Sequence, residues 1–448
     1  MTVIAFVIGV VLLVVGLALS IALHEMGHLI PAKKFGGKVT QYFIGFGPTV
    51  WSRQRGETEY GLKAIPLGGY VKIVGMLPPD AEHADKVEYD ADGNRVVTIR
   101  KSNTGMFGQL VSDARAAEWE TITAADEDRL FYKMAWWKKV VVMAGGPTVN
   151  LLIAFFIFAG LFATVGNPND QTVHTTVDTV SACVIPANRT SDVCEKGDPV
   201  SPAAQAGLKP GDRFVSFNGT PVQSWDEMQT LIRGNNDGQA TIVVERAGRT
   251  LTLHTNTLVE PRPTDPKDLK KLTPVGFLGV APVVTFGHGG VVYTVQQMGV
   301  LAKQSAVALA TLPVKVWGVG EAIVGVKDRA QDSPVSIVGG GRIAGETASA
   351  EGFPLQDKLI GLLGLVAGFN FFIGLFNFIP LLPLDGGHIA GALWEAARRG
   401  IARLRGRPDP GYVDVARLLP VAYVVASFLL VMGVVLIVGD LVVPVRVT

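Results

Sequence analysis

Residues 3–23 form an unbroken apolar run with no charged side chain, long enough to cross a bilayer as a helix. Lipid offers no partner to a backbone N–H or C=O, so a chain built on such a run is held to helices or closed barrels within the membrane. The run does not read as a cleaved leader: no basic residue precedes it, no small-residue cleavage site follows it, and it is too long. Three further runs, over 140–165, 359–380 and 418–443, have the same character. Only 18% of residues are charged, and the net charge of +1 gives no electrostatic reason to expect a nucleic-acid partner.

Lys and Arg near span ends stay on the cytoplasmic side, so the flanks set orientation. Lys33, Lys34, Lys38, Arg53 and Arg55 follow the first run. Lys133, Lys138 and Lys139 precede the second, and Arg398, Arg399, Arg403, Arg405 and Arg407 follow the third. Lys358 and Arg446 are isolated exceptions. Four transmembrane helices with both termini outside fit this bias, placing 31–137 in the cytoplasm and 167–357 outside. Cys183 and Cys194, the only cysteines, then share the oxidising side, where a disulfide is favoured over two free thiols. A loop this short would contribute roughly 3 kcal/mol on the chain-entropy account.

Near the inner end of the first run stands Leu23-His24-Glu25-Met26-Gly27-His28. Four residues is about one helical turn, so both imidazoles face one way. Neutral imidazole is a good zinc ligand, and Glu25 beside the first His is placed to serve as general base toward a water that the metal activates. Such a pattern on a soluble helix often means nothing; inside an apolar span, three ionisable groups are too costly to keep without a use. A catalytic zinc needs a third protein ligand. The candidate is Asp385, in Asn377-Phe378-Ile379-Pro380-Leu381-Leu382-Pro383-Leu384-Asp385-Gly386-Gly387-His388. His24 and Asp385 lie about 21 and about 26 residues in from the outer ends of their runs, both toward the cytoplasmic side. Asp385 also suits the N-cap of a helix beginning at Gly386, a role compatible with ligation. His388 is either a fourth ligand or, more in keeping with its place, a supporting or packing residue.

The pairing of His24-Glu25-x-x-His28 with Leu384-Asp385-Gly386 resembles the site-2 protease family of intramembrane metalloproteases, and its bacterial regulator-of-sigma-E protease branch in particular. The likeness extends to Gly45-Phe46-Gly47-Pro48, Pro66-Leu67-Gly68-Gly69-Tyr70 and Ala144-Gly145-Gly146-Pro147-x-x-Asn150. It implies that His24, His28 and Asp385 hold Zn2+, that Glu25 activates water, and that the substrate is a membrane-spanning protein such as an anti-sigma factor or a signal-peptide remnant. It also implies a multi-pass protein of the bacterial inner (plasma) membrane.

A spanning substrate must be unwound before attack, and its freed backbone then needs partners that lipid cannot supply. Residues 41–74 are strand-like and punctuated by glycines. The resemblance implies a membrane-dipping β-hairpin there that pairs with extended substrate, with Gly45 and Gly47 as contact positions. Asn377, Pro380 and Pro383 form a second such stretch, an amide beside non-helical backbone. Outside, Ser201-Pro202-Ala203-Ala204-Gln205-Ala206-Gly207-Leu208-Lys209-Pro210-Gly211-Asp212, the strand Arg213–Phe217, the Asn218-Gly219 turn, a helix near 225–233 and strands at 241–246 and 250–255 resemble a single PDZ domain of the bacterial protease type. Without a second copy, a two-domain sieve is not implied.

The expected fold is therefore a polytopic α-helical membrane protein with four transmembrane helices, an extracytoplasmic α+β PDZ domain and a cytoplasmic or membrane-dipping hairpin. Its divisions are 1–32, 33–137, 138–166, 167–285, 286–357, 358–397, 398–417 and 418–448. Three smaller features are expected: a hairpin across 90–94, a solvated helix start at Asp126-Glu127-Asp128, and an amphipathic helix over 296–323 on the outer leaflet.

Overall fold

A computed structural model describes residues 2–78, 88–89, 95–96, 111, 114–115, 118, 122–186, 189, 193–264, 272–350 and 352–445. The chain forms two compact units, one of Met1–Gly160, Thr294–Arg329 and Ser333–Thr448, the other of Leu161–Tyr293 with Ala330–Asp332.

The first unit is built on long apolar helices: α1 (Thr2–Lys34), α2 (Trp136–Thr164), α5 (Val291–Ile323), α7 (Leu355–Asn377) and α9 (Leu419–Val442). Val15, Phe156, Val424 and Leu430 stand exposed on them, as lipid-facing side chains do. Two shorter helices are α6 (Ile337–Ser349) and α8 (Asp385–Leu404). All five long helices have the length and composition to cross a membrane. Four such runs are expected from the sequence, with a surface helix where α5 lies. The best window of α5 has a mean hydropathy of 1.4 against 2.1–3.0 for the others, so it is the weakest of the five signals.

Contacts give the helix directions. Leu13 and Leu17 cluster with Leu362, Ser20 meets Asn370, and His24 and His28 meet Asp385, so α7 and the start of α8 follow α1 in the same direction. Gly27 meets Gly145, and His28 meets Val142, so α2 runs opposite. This crossing is close enough that a Cβ on Gly145 would lie 1.9 Å from the Gly27 carbonyl oxygen. Only glycine fits on either helix at that point, the small-residue contact by which membrane helices gain dispersion energy.

The third run ends at its prolines, as the sequence leads one to expect. The helix ends at Asn377, and Asp385 heads a separate one, because Pro380 and Pro383 each lack an N–H and push the preceding residue out of helical conformation. Gly386 and Gly387 allow the turn to close: a Cβ on Gly386 would sit 2.1 Å from the Ile379 oxygen, and one on Gly387 2.6 Å from the Leu382 nitrogen.

Between α1 and α2 lies a long hairpin, β1 (Val39–Arg55) and β2 (Thr58–Ile73). Each strand bends, so residues 41–44 pair with 69–72 in descending register and also lie beside 59–62 in ascending register. Gly45 (φ +92°) and Gly47 (φ +87°) make the bend in β1. The hairpin docks on α1 through Tyr42, whose hydroxyl donates to the Ala22 carbonyl at 2.8 Å, and through a buried cluster of Leu29, Ala32, Val39, Ile73 and Val142. Its far end exposes Phe46, Val50, Trp51, Leu62 and Ile65. Further on, β3 (Glu88–Tyr89) and β4 (Arg95–Val96) pair antiparallel; the expected turn at 90–94 lies outside the described residues. Asp126 is not the solvated residue expected. It is buried, closes a capping box with Thr123 at the start of a 3-10 turn, and pairs with Lys38 at 2.8 Å.

The second unit carries β5 (Asn167–Val180), β6 (Arg213–Phe217), β7 (Thr220–Pro221), β8 (Gln239–Arg246), β9 (Arg249–Asn256) and β12 (Val280–Gly287) in one sheet of order β12-β5-β6-β8-β9, with β7 on β6. A separate pair, β10 (Leu258–Pro263) and β11 (Leu272–Phe277), lies apart from it. Helix α3 (Pro202–Ala206) is capped by Ser201 and ended by Gly207 in the left-handed region; α4 (Trp225–Gly234) starts with a Ser224–Glu227 capping box. Their core holds Phe214, Phe217, Met228, Ile232, Ile242 and Leu278. Cys183 and Cys194 are joined by a disulfide, Cα–Cα 5.9 Å.

Within this core edge, Asp212 is fully buried and accepts from Arg246 Nε at 2.6 Å and Nη2 at 2.7 Å, and from Lys209 N at 2.9 Å. Burial alone would raise its pKa; the Arg246 guanidinium and the Lys209 amide outweigh it and hold the carboxyl below the ordinary range. A lowered folded pKa means the stabilisation is complete above the unfolded value, about 3.9, and is lost as pH falls below it. Hydrogen exchange of the β6 and β8 amides in the intact protein is therefore expected to be flat from pH 7 to about pH 5 once corrected for intrinsic rates. Protection should fall below about pH 4, and Asp212→Asn should remove that dependence.

Candidate metal centre

His24 Nε2 and His28 Nε2 are 3.2 Å apart, and each lies 3.4 Å from Asp385 Oδ2. Among the described residues this is the one group of three or more His, Cys, Asp or Glu whose donor atoms converge within 4.8 Å. A tetrahedral zinc with bonds of about 2.0–2.1 Å would hold its ligand atoms roughly 3.3–3.4 Å from one another. The three donors already stand at that spacing. Three protein ligands leave one position for water or substrate, the pattern of catalytic rather than structural zinc.

The surroundings fix the donors. His28 Nδ1 lies 2.8 Å from the Val142 carbonyl on α2; donating its proton there leaves the Nε2 lone pair facing the centre. His24 Nδ1 is buried with no hydrogen-bond partner among the described residues, so its ring is held by packing. A Cβ on Gly146 would fall 2.3 Å from His28 Nε2 and 2.7 Å from His24 Nε2, so glycine alone lets α2 approach the two ring nitrogens. The N-cap place belongs to Leu384 rather than Asp385, which is the first residue of α8 and turns its carboxylate to the histidines.

Glu25 is half-buried and within electrostatic range of His24, His28 and Asp385. Beside it runs β2: a Cβ on Gly69 would lie 2.9 Å from Glu25 Cγ and 3.1 Å from Ile21 Cγ2. Asn377 closes α7 with its side chain half-buried and unbonded among the described residues. Pro380 and Pro383 are exposed in the turn that follows, and the Leu382–Pro383 peptide is cis. Gly45 and Gly47 are not beside the triad; they shape the hairpin, and Gly69 is a hairpin residue whose backbone comes close to Glu25. His388 is outside the convergent group and lines a small cavity with Lys139 and Glu395. Val142, Gly146 and Gly69 have no assigned role in the sequence reading, although the glycine pair at 145–146 is itself a visible signal.

The description of peptidase family M50 matches residues 12–418. The chain belongs to peptidase family M50. It is 34% identical to the zinc metalloprotease Rip1 of Mycobacterium tuberculosis over 98% of this chain and 99% of that one. Against the zinc metalloprotease Rip1 of Mycolicibacterium smegmatis the identity is 33%, over 94% of each chain. This M50 peptidase is accordingly a multi-pass membrane protein and a zinc metalloendopeptidase, and Zn2+ is its cofactor.

Two substitutions test the geometry around the donors. Gly146→Ala is expected to weaken zinc binding by roughly ten- to a hundredfold, the usual loss when the surroundings of a ligand are disturbed. Gly160→Ala, on the same helix with nothing near its Cβ, should leave binding unchanged. Competition with a chromophoric chelator reads both.

Proposed function

We propose that this M50 peptidase cleaves membrane-spanning segments of other proteins at a zinc held by His24, His28 and Asp385, with Glu25 as general base. The convergence of three donors at tetrahedral spacing, beside a carboxylate on the same helix, carries the reading. Zinc, when bound, supplies Lewis acidity, polarising a peptide carbonyl and bringing the pKa of water toward neutrality. Glu25 takes a proton from the attacking water and returns it to the leaving amide nitrogen as the C–N bond breaks. The β2 edge around Gly69 offers backbone groups to an extended peptide, and the missing side chain lets that strand lie close against Glu25. Asn377 donates its amide to substrate main chain from the break after α7. Pro380 and Pro383 keep that break open, and Gly45 and Gly47 shape the hairpin.

The spans number four in this reading. The end of α2 and the start of α7 lie on the side where α1 begins, so α5 and α6 together make no net crossing. Helix α6 has 13 residues, about 20 Å at 1.5 Å each, too short for a bilayer core of roughly 30 Å. Both enter and leave on the outer side, with the buried Arg329–Asp440 pair (2.8 Å) at their turn. Both termini are then extracytoplasmic, as the flanking charges favour, in a bacterial inner membrane. The second unit reads as an extracytoplasmic PDZ domain over about 167–285, gating access rather than binding tails. The substrate class is a transmembrane anti-sigma factor or signal-peptide remnant.

Glu25→Gln is expected to abolish cleavage of a model transmembrane substrate, a loss of roughly 100- to 10,000-fold, while zinc is retained. Unchanged cleavage in that variant would remove Glu25 from the mechanism. Separately, His24→Ala, His28→Ala and Asp385→Ala should each lower bound zinc by elemental analysis, and full occupancy in the Asp385 variant would exclude it as a ligand.

A further inference from the structure

Lys139 and Glu395 stand 256 residues apart in the chain and meet at 2.8 Å, both buried, with 6% and 1% of their surfaces exposed. Glu395 Oε2 also accepts from Val413 N at 3.3 Å, and Arg399 lies 3.3 Å from Oε1. The Tyr412 ring lies beside both cations, 5.1 Å from Lys139 Nζ and 4.9 Å from Arg399 Cζ. A cavity of about 20 Å³, room for about one water, lies beside the pair and is lined by His388. Nothing in the proposed hydrolysis uses these groups.

Their placement on the helices is the telling point. Along α2, Lys139, Val142 and Gly146 recur at intervals of three and four, so one face carries all three. That face meets Glu395 on α8, holds His28 Nδ1 through the Val142 carbonyl, and abuts both ligand nitrogens at Gly146. Along α8, Asp385, His388, Ala392 and Glu395 likewise share one face. Asp385 is therefore at one end of a lever about 15 Å long whose other end is fastened to α2 by the ion pair.

We propose that Lys139 and Glu395 are a positioning pair for the metal centre: their buried contact sets the register and rotation of α8 against α2, and thereby the reach of Asp385 to the ion. This rests on the reading of His24, His28 and Asp385 as zinc ligands. Ionic geometry is what makes it specific. Two apolar side chains of similar volume would pack as well or better, because a buried ion pair recovers little beyond its own desolvation, but they would not dictate one rotation.

The test uses the full-length protein in detergent, with zinc affinity measured by chelator competition and folding by thermal unfolding. The double variant Lys139→Met with Glu395→Met is expected to unfold no earlier than the parent, yet to bind zinc roughly ten- to a hundredfold more weakly. Lys139→Arg, which keeps a cation against Glu395 and leaves Glu395 its contacts with Val413 N and Arg399, should retain more affinity than the double variant, which a loss of packing alone would not explain. Glu395→Asp keeps the charge and shortens the reach, and is expected to weaken zinc about tenfold while the protein stays folded. Parent-like zinc affinity in either a folded double variant or Glu395→Asp would overturn the proposal. His28→Ala serves as reference: if it too kept full zinc affinity, the ligand assignment itself would fall, and the two failures are thereby told apart.

Discussion

The approach of α1 to α2 at Gly27 and Gly145 governs the rest of the molecule. Lipid tails are as apolar as leucine, so two membrane helices gain little by burying leucine against each other. They gain by dispersion when backbones come close, and here the missing side chains permit it. Once the crossing is made, Val142 and Gly146 of α2 lie directly over the two histidines of α1. The metal site is thus a by-product of where two helices can touch. Asp385 is brought in on a short helix made possible by two prolines that stop α7 and two glycines that let the turn fold back on itself.

Polar groups at membrane depth follow the same economy. His28 has its carbonyl partner, Asn370 bonds Ser20 and the Val366 carbonyl, Lys139 has Glu395, and Arg329 has Asp440. Each joins segments that the apolar surfaces alone would leave free to slide. In a bundle without a hydrophobic force between helices, these few contacts carry the specification of register.

Much of this was legible from residue order alone. Apolar length gives α1, α2, α7 and α9, and the cost of ionisable groups in lipid singles out His24, Glu25, His28 and Asp385. The prolines announce the break before Asp385. Less legible were the groups whose meaning depends on which helices touch. Val142 acts through a carbonyl, which every residue has. Lys139 reads as one more flanking charge, and only its burial against Glu395, far along the chain, gives it another meaning. Asp126, in a run of acids, reads as a solvated helix start for the same reason, yet is buried against Lys38. Helix α5, expected over 296–323, runs over Val291–Ile323, and Lys303 and Lys315 keep it the least apolar of the five long helices.

The hydrogen bond from His28 to Val142 has one more implication. A helix in lipid keeps its own internal ladder even when its neighbour moves away, so loosening the α1–α2 seam need not melt either one. What it would release is the orientation of an imidazole. With His28 as a zinc ligand, as proposed, a detergent that wedged into that seam would leave helicity undiminished while the grip on the ion slackened.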